Sequence, residues 1–257
     1  MKTSSHTLID YIRSLVHRRY DAPDGDRELL HRFVARRDED AFAVLMRRHG
    51  PMVLNLARRI TGDEQLAEDV FQATFLLLSQ KAHTIRRPEA LPCWLHGSAH
   101  RLGMQARRSQ LRHAQREAWV QPPSPPNPLE ELTAQEFLTV LDEELRRLPE
   151  NQRAPLILCC LEGLSQEEAA NRLGCSPGAV RGRLERGRNR LRLRLEKRGL
   201  TLPAVVGGTL LSAGSTNAVP FALAQATLTA ATTGIGATPA VIVLMKGAMR
   251  TMFFSTS

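Results

Sequence analysis

Nine Lys or Arg residues against two Glu stand between Ser176 and Arg198, a run of guanidinium groups at helical spacing that suits phosphate oxygens and base edges. The residues before it give that run a frame. Ser165-Gln166-Glu167-Glu168 has the form of a capping box, in which the Ser165 hydroxyl meets the N–H of Glu168 and the Glu168 carboxylate reaches back. Ala169, Ala170 and Leu173 follow as an inner face, Gly174 stands where a left-handed C-terminal residue is wanted, and Ser176-Pro177 supplies a new N-cap with proline at the first helical position. The spacing predicts two helices around a turn of three or four residues. At about 100° per residue, Val180, Leu184, Gly187 and Leu191 fall on one side of the second helix and are expected to pack on the first. Gly178, Gly182, Glu185 and Asn189 point the other way, bordered by Arg181 and Arg188 on one flank and by Arg183, Arg186 and Arg190 on the other. A narrow strip of low bulk between cations is a shape that sinks into a major groove.

Other chemistry is weakly supported. His96 and His100, four apart, share one helix face, but no Glu accompanies them in an H-E-x-x-H pattern and no third ligand is evident, so both are expected on a solvated face. Cys93, Cys159, Cys160 and Cys175 have no C-x-x-C spacing, which argues against a zinc site or a disulfide framework and suits a reducing cytoplasm. No glycine loop leads to Lys-Ser/Thr, no G-x-S-x-G is present, and no acid pair suggests a pocket. Neither catalysis nor a cofactor is expected. The opening MKTSSHTLIDYIRSLVHRRY has apolar residues at helical spacing broken by Asp10 and Arg13, with no continuous apolar core, and does not read as a secretory signal.

The elements that must position these residues are expected to be helices throughout. The chain has 257 residues, 42% of them hydrophobic and 5% aromatic, and β-branched runs are scarce before residue 200. Its net charge of +9 suits a polyanion, and lipid headgroups satisfy charge as well; the concentration of that charge on the second helix favours DNA. Five segments emerge: an N-terminal helical extension at 1–25, a helical block at 26–115, a linker at 116–128, a second helical block at 129–198 and a tail at 199–257. QPPSPPNP at 121–128 cannot continue a helix, because its prolines remove donors and favour extended backbone. The tail carries no charged residue between Arg198 and Lys246.

Within the first block, residues 63–78 predict a helix with acids in its first turns. Leu66, Val70, Ala73 and Leu77 make one face, widened by Phe71, Phe75 and Leu78, and Glu68, Asp69 and Gln72 are left outside; spacing alone fits any amphipathic bundle helix. A further helix is expected from Pro92, buried through Leu95, Ala99, Leu102 and Ala106. His96, His100, Arg101, Arg107 and Arg108 form a second basic surface, with Arg86 and Arg87 in the loop before it.

The runs AEDVFQATFLLLSQKA at 67–82 and CWLHGSAHRLGMQARR at 93–108, followed by the two-helix stretch ending near residue 191, resemble bacterial sigma factors of the sigma-70 family, in the extracytoplasmic function (ECF) group. The resemblance covers roughly residues 26–196 and rests on three motifs in the right order. It implies two helical domains, one like sigma region 2 and one like region 4 with its helix-turn-helix. It further implies that Glu68, Asp69, Gln72 and Phe75 contact the clamp helices of core RNA polymerase, although Ala73 stands where a glutamate is frequent. Arg86, Arg87, Trp94, His96, Arg101, Arg107 and Arg108 would lie near the promoter −10 strand, where a melted base is held by stacking and the backbone is tracked by cations. Trp94 fits burial between helices equally well. Ser176, Pro177, Gly178, Ala179, Arg181, Gly182, Arg183 and Arg186 would meet the −35 groove.

The tail resembles C-terminal extensions of some ECF members. Prolines at 203, 220 and 239 break its apolar stretches below the length of a membrane span, so docking on the preceding domains or on a membrane surface is expected rather than an independent core. Two other classes remain open at this stage: a one-component helix-turn-helix regulator that works without polymerase, and an adaptor that uses the tail as an anchor. The resemblance also admits an anti-sigma factor among the partners, beside core RNA polymerase and promoter DNA.

Overall fold

A computed structural model describes residues 24–85, 87–117, 134–200 and 218–253. The expected N-terminal extension up to residue 23, Arg86, the proline-rich segment at 121–128 and residues 201–217 of the tail lie outside the described residues. All regular elements among the described residues are helical.

The first block begins with α1 (Asp26–Arg36), α2 (Glu39–Thr61) and α3 (Glu64–Lys81). Side-chain caps set the starts of the last two: Asp38 accepts from the N–H of Ala41 at 3.0 Å, and Asp63 accepts from that of Leu66 at 2.9 Å. Two short 3₁₀ turns then lead to α4 (Leu91–Glu117), which runs two residues into the segment expected as linker. Helices α2, α3 and α4 pack on one another around Leu45, Leu54, Leu56, Ile60, Leu77, Leu95 and Leu102. A chain of aromatic rings ties in α1: Phe33 lies 4.6 Å from Phe42, Phe42 lies 6.3 Å from Phe75, and Phe75 lies 4.9 Å from Phe71.

The second block comprises α5 (Ala134–Arg146), α6 (Glu150–Leu156), α7 (Gln166–Leu173) and α8 (Pro177–Glu196). Pro155 has no N–H to donate, and the chain after α6 widens into a π turn over Ile157–Leu161. Helix α8 packs on α6 and α5 as well as on α7, which corrects the expectation that its apolar face is spent on the first helix of the pair. Gly187 marks the closest approach: a Cβ there would stand 2.9 Å from Leu156 and 3.2 Å from the carbonyl of Gln152 in α6.

The tail supplies α9 (Phe221–Thr233) and α10 (Pro239–Phe253), separated by a left-handed C-cap at Gly234. Both dock on the first block, as expected for the first of the two docking modes: α9 against α3 and α2, and α10 against α3 and α4. Leu223, Ala224, Ala230, Ala231, Val241, Leu244, Met245 and Ala248 are buried there. No helix among the described residues is long and apolar enough to cross a membrane.

Candidate functional site

The two-helix motif forms as its residues dictate. The N–H of Glu168 donates to the Ser165 hydroxyl at 3.2 Å and the N–H of Ser165 donates to the Glu168 carboxylate at 2.8 Å. That second bond and the Ser165 hydroxyl hold the Glu168 carboxyl below its usual range. Gly174 ends α7 with φ of 62°, in the region where a side chain is strained and glycine is not, and the N–H of Ala179 donates to Ser176 at 3.2 Å to start α8. Burial of Ala169, Ala170, Val180, Leu184 and Leu191 then fixes which side of α8 faces out.

That outer side is bare. Ser176, Pro177, Gly178, Arg181 and Arg186 are exposed, and Ala179, Gly182 and Arg183 are partly so. Arg186 folds over Gly182, its guanidinium 3.4 Å from where a Cβ would stand, and Arg183 donates weakly to the Cys175 sulfur at 3.5 Å. None of Arg181, Arg183 and Arg186 has a carboxylate partner among the described residues. The far end of α8 differs: Arg194 pairs with Glu144 at 3.2 Å, and Arg198 just beyond the helix reaches Glu143 at 3.0 Å and Glu144 at 2.9 Å. Carboxylates of α5 thus neutralise one end of the arginine run and leave the other free for phosphate.

The face of the first block is covered instead. His96 is fully buried, its Nε2 3.4 Å from Asp142 of α5, and Asp142 also receives Arg59 of α2 at 3.0 Å. Burial alone would raise the Asp142 carboxyl, but Arg59 and His96 outweigh it and hold it low. His100, also buried, accepts at Nδ1 from Arg146 of α5 at 2.8 Å. An acceptor nitrogen facing an arginine keeps the ring neutral, and burial with that cation depresses its pKa to about 4. The expectation of a solvated histidine face is therefore corrected: the i,i+4 pair is a contact between the two blocks. Trp94 is half-buried against the core, Arg101 is half-buried and donates to Ser98 at 3.2 Å, and Arg107 donates to the carbonyl of Ile60 at 3.4 Å. Arg87 and Arg108 remain exposed, Arg87 paired with Glu150 at 3.0 Å.

A second lock between the blocks was not foreseen from the sequence. His49 of α2, fully buried, stands 3.1 Å from Asp26 of α1 and 2.5 Å from Glu162 after the π turn. Burial opposes its charge, yet the two carboxylates win and raise its pKa to about 9. Arg48 and Arg172 close the cluster, reaching Asp26 at 2.5 Å and Glu162 at 3.4 Å. The available signal was a histidine at helical spacing from Leu45, Met46, Met52 and Val53, on the apolar face of α2.

On α3, Glu68 and Gln72 are partly exposed, as expected, but Asp69 is covered and Phe75 is fully buried. Asp69 fails as an outside residue because Thr238 of the tail donates to it at 3.3 Å, and burial raises its carboxyl. Phe75 belongs to the aromatic core and offers no free surface. Gln72 has its Oε1 buried with no hydrogen-bond partner. Between α4, α5 and α10 lies a cavity of about 980 Å³ whose lining includes Arg101, Arg108, Arg112, Arg146 and Arg147.

The sigma-70 region 2 family model matches residues 45–113 and the sigma-70 region 4 model matches residues 138–191. The chain is similar to the ECF RNA polymerase sigma factor SigE of Mycolicibacterium smegmatis, 36% identical over 157 residues, or 60% of this chain and 61% of the relative. It is also similar to the ECF RNA polymerase sigma factor SigM of Mycobacterium tuberculosis, 34% identical over 171 residues, or 65% of this chain and 83% of the relative. Among solved structures, the sigma factor RpoE in complex with the anti-sigma factor NepR from Bartonella quintana is 27% identical, covering 57% of this chain and 91% of that one at a TM-score of 0.27. The chain thus spans just over three fifths of the length of the first relative and most of the second.

Proposed function

The chain belongs to the ECF group of sigma-70 family RNA polymerase sigma factors, and we propose that it directs initiation through three separate surfaces, with no catalytic step of its own. Helix α8 reads the −35 element: Gly178, Ala179 and Gly182 let the backbone into the major groove, while Arg181, Arg183 and Arg186 reach phosphates and base edges. Glu68, Asp69 and Gln72 of α3 bind core polymerase, with Phe75 acting through the packing that holds the helix. Arg87, Trp94, His96, Arg101, Arg107 and Arg108 of the α4 region, together with Arg86, engage the −10 strand. Such work takes place where core polymerase and promoter DNA are, in the cytoplasm.

The observation that carries this reading is the unequal neutralisation of the arginine run, paired with carboxylates from Arg192 onward and without a carboxylate partner, among the described residues, at the end where small residues open the helix. Run-off transcription with purified core enzyme on a promoter selected from random DNA tests it. The full chain should yield transcripts that depend on both promoter elements. DNA binding without any transcript would instead favour a regulator that works without core polymerase.

A further inference from the structure

We infer that the tail helices α9 and α10 compete with core polymerase for α3, so that the protein carries its own cover over the polymerase-binding face. This rests on the reading of α3 given above. Both tail helices pack against α3, and between them they also grip α2 and α4. Val241 is fully buried, Leu244, Met245 and Ala248 nearly so, and Thr238 at the head of α10 hydrogen-bonds the one acid of α3 that the cover buries, Asp69. At the far side α10 comes close enough to α4 that a Cβ on Gly247 would overlap the Gln105 side chain. A polymerase helix seated on Asp69 would have to displace Thr238.

The cover is built to be displaced. Asp69 is buried with a single hydroxyl donor and no cation paired to it among the described residues, and Gln72, one turn on, leaves Oε1 unsatisfied. Both are penalties that a polar partner would remove. The contact is otherwise largely apolar, with Leu223, Val241, Leu244 and Met245 set among alanines, while Ile235, Ile242 and Val243 face outward. A cover of this kind holds α3 out of use at low cost and yields to a partner that satisfies Asp69 and Gln72.

The full-length protein tests this in two directions, with core RNA polymerase as the probe and affinity read by fluorescence anisotropy. The Gln105→Cys, Gly247→Cys pair should form a disulfide on oxidation, hold α10 down, and lose core binding reversibly with reductant, whereas the unsubstituted protein treated alike should not. Val241→Asp should eject α10 and tighten core binding by about tenfold if the open form is roughly a tenth of the population. Failure of the cysteine pair to oxidise would show that α10 does not lie on α4 and would overturn the inference. Equal core affinity for the oxidised, reduced and Val241→Asp forms would overturn it as well. Asp69→Arg placed in the Val241→Asp background separates the two claims: loss of binding supports α3 as the polymerase site, and retention would sink that assignment itself.

Discussion

Helix α8 and the face formed by α3 and α4 are both assigned to promoter or polymerase recognition, yet one stands open and the other is closed. On α8 the recognition side chains project into solvent and their neutralising carboxylates are confined to the other end of the helix. On the first block, His96 and His100 are buried under α5, and Asp69 is buried under α10. Under that assignment the proposed −35 surface stands free in this conformation, whereas the proposed polymerase and −10 surfaces become accessible only if the two blocks and the tail part. Charge explains the difference. The arginines at the start of α8 meet no carboxylate among the described residues, while the histidines of the first block lie among arginines and carboxylates that answer them.

The largest blow to the comparison should come from Asp142→Ala, which removes the carboxylate that Arg59 and the buried His96 share on α5. Removing one member of a buried pair costs about 3 to 5 kcal/mol, so the blocks should separate, seen as faster hydrogen exchange in α4 and a larger radius of gyration by X-ray scattering. An unchanged radius would mean that the apolar contacts alone close the molecule. The open surface comes next. Arg183→Ala and Arg186→Ala should each lower the log-log salt slope of duplex DNA binding by about 0.9, while Arg194→Ala, already paired with Glu144, should change it far less. Equal effects at all three positions would erase the distinction drawn between the two ends of α8.

The lock at His49 gives a pH test. Its pKa is raised from 6.5 to about 9 in the folded protein, so its contribution is fully present below about pH 6.5 and is lost as pH rises through 9. The contact between blocks should therefore loosen on the alkaline side, and His49→Gln should flatten that dependence; a closed form equally compact at pH 7 and 9.5 would contradict it. The smallest effect belongs to the cap. Ser165→Ala should cost about 1 kcal/mol of thermal stability and weaken −35 binding only through fraying of α7, a change visible in the melting curve before it is visible in the salt slope.

Much of the open region was legible in the residues and little of the closed one. The capping box at Ser165, the left-handed Gly174 and the Ser176-Pro177 start of α8 are local devices, satisfied by groups within a few residues, and each formed as read. The outward turn of Gly178, Gly182 and the arginines followed from helical period alone. Glu68 and Gln72 kept a partly exposed position for the same reason, and Phe75, already read as part of the apolar face, went into the core.

What the tertiary structure alone decided are contacts between residues far apart in the chain. Asp69 with Thr238, His49 with Glu162, Arg59 and His96 with Asp142, and His100 with Arg146 have no local signature, because a polar side chain on an amphipathic helix looks the same whether water or another helix answers it. The amino-acid sequence by itself determined the helices of the two blocks among the described residues, the capped arginine helix α8 and the placement of cations along it, since periodicity and capping act within a few turns. Which polar face stayed free and which was answered by another part of the chain was left to packing: apolar burial between α3, α9 and α10 brought Thr238 to Asp69, and the contact of α2 and α4 with the second block brought the histidines to their partners.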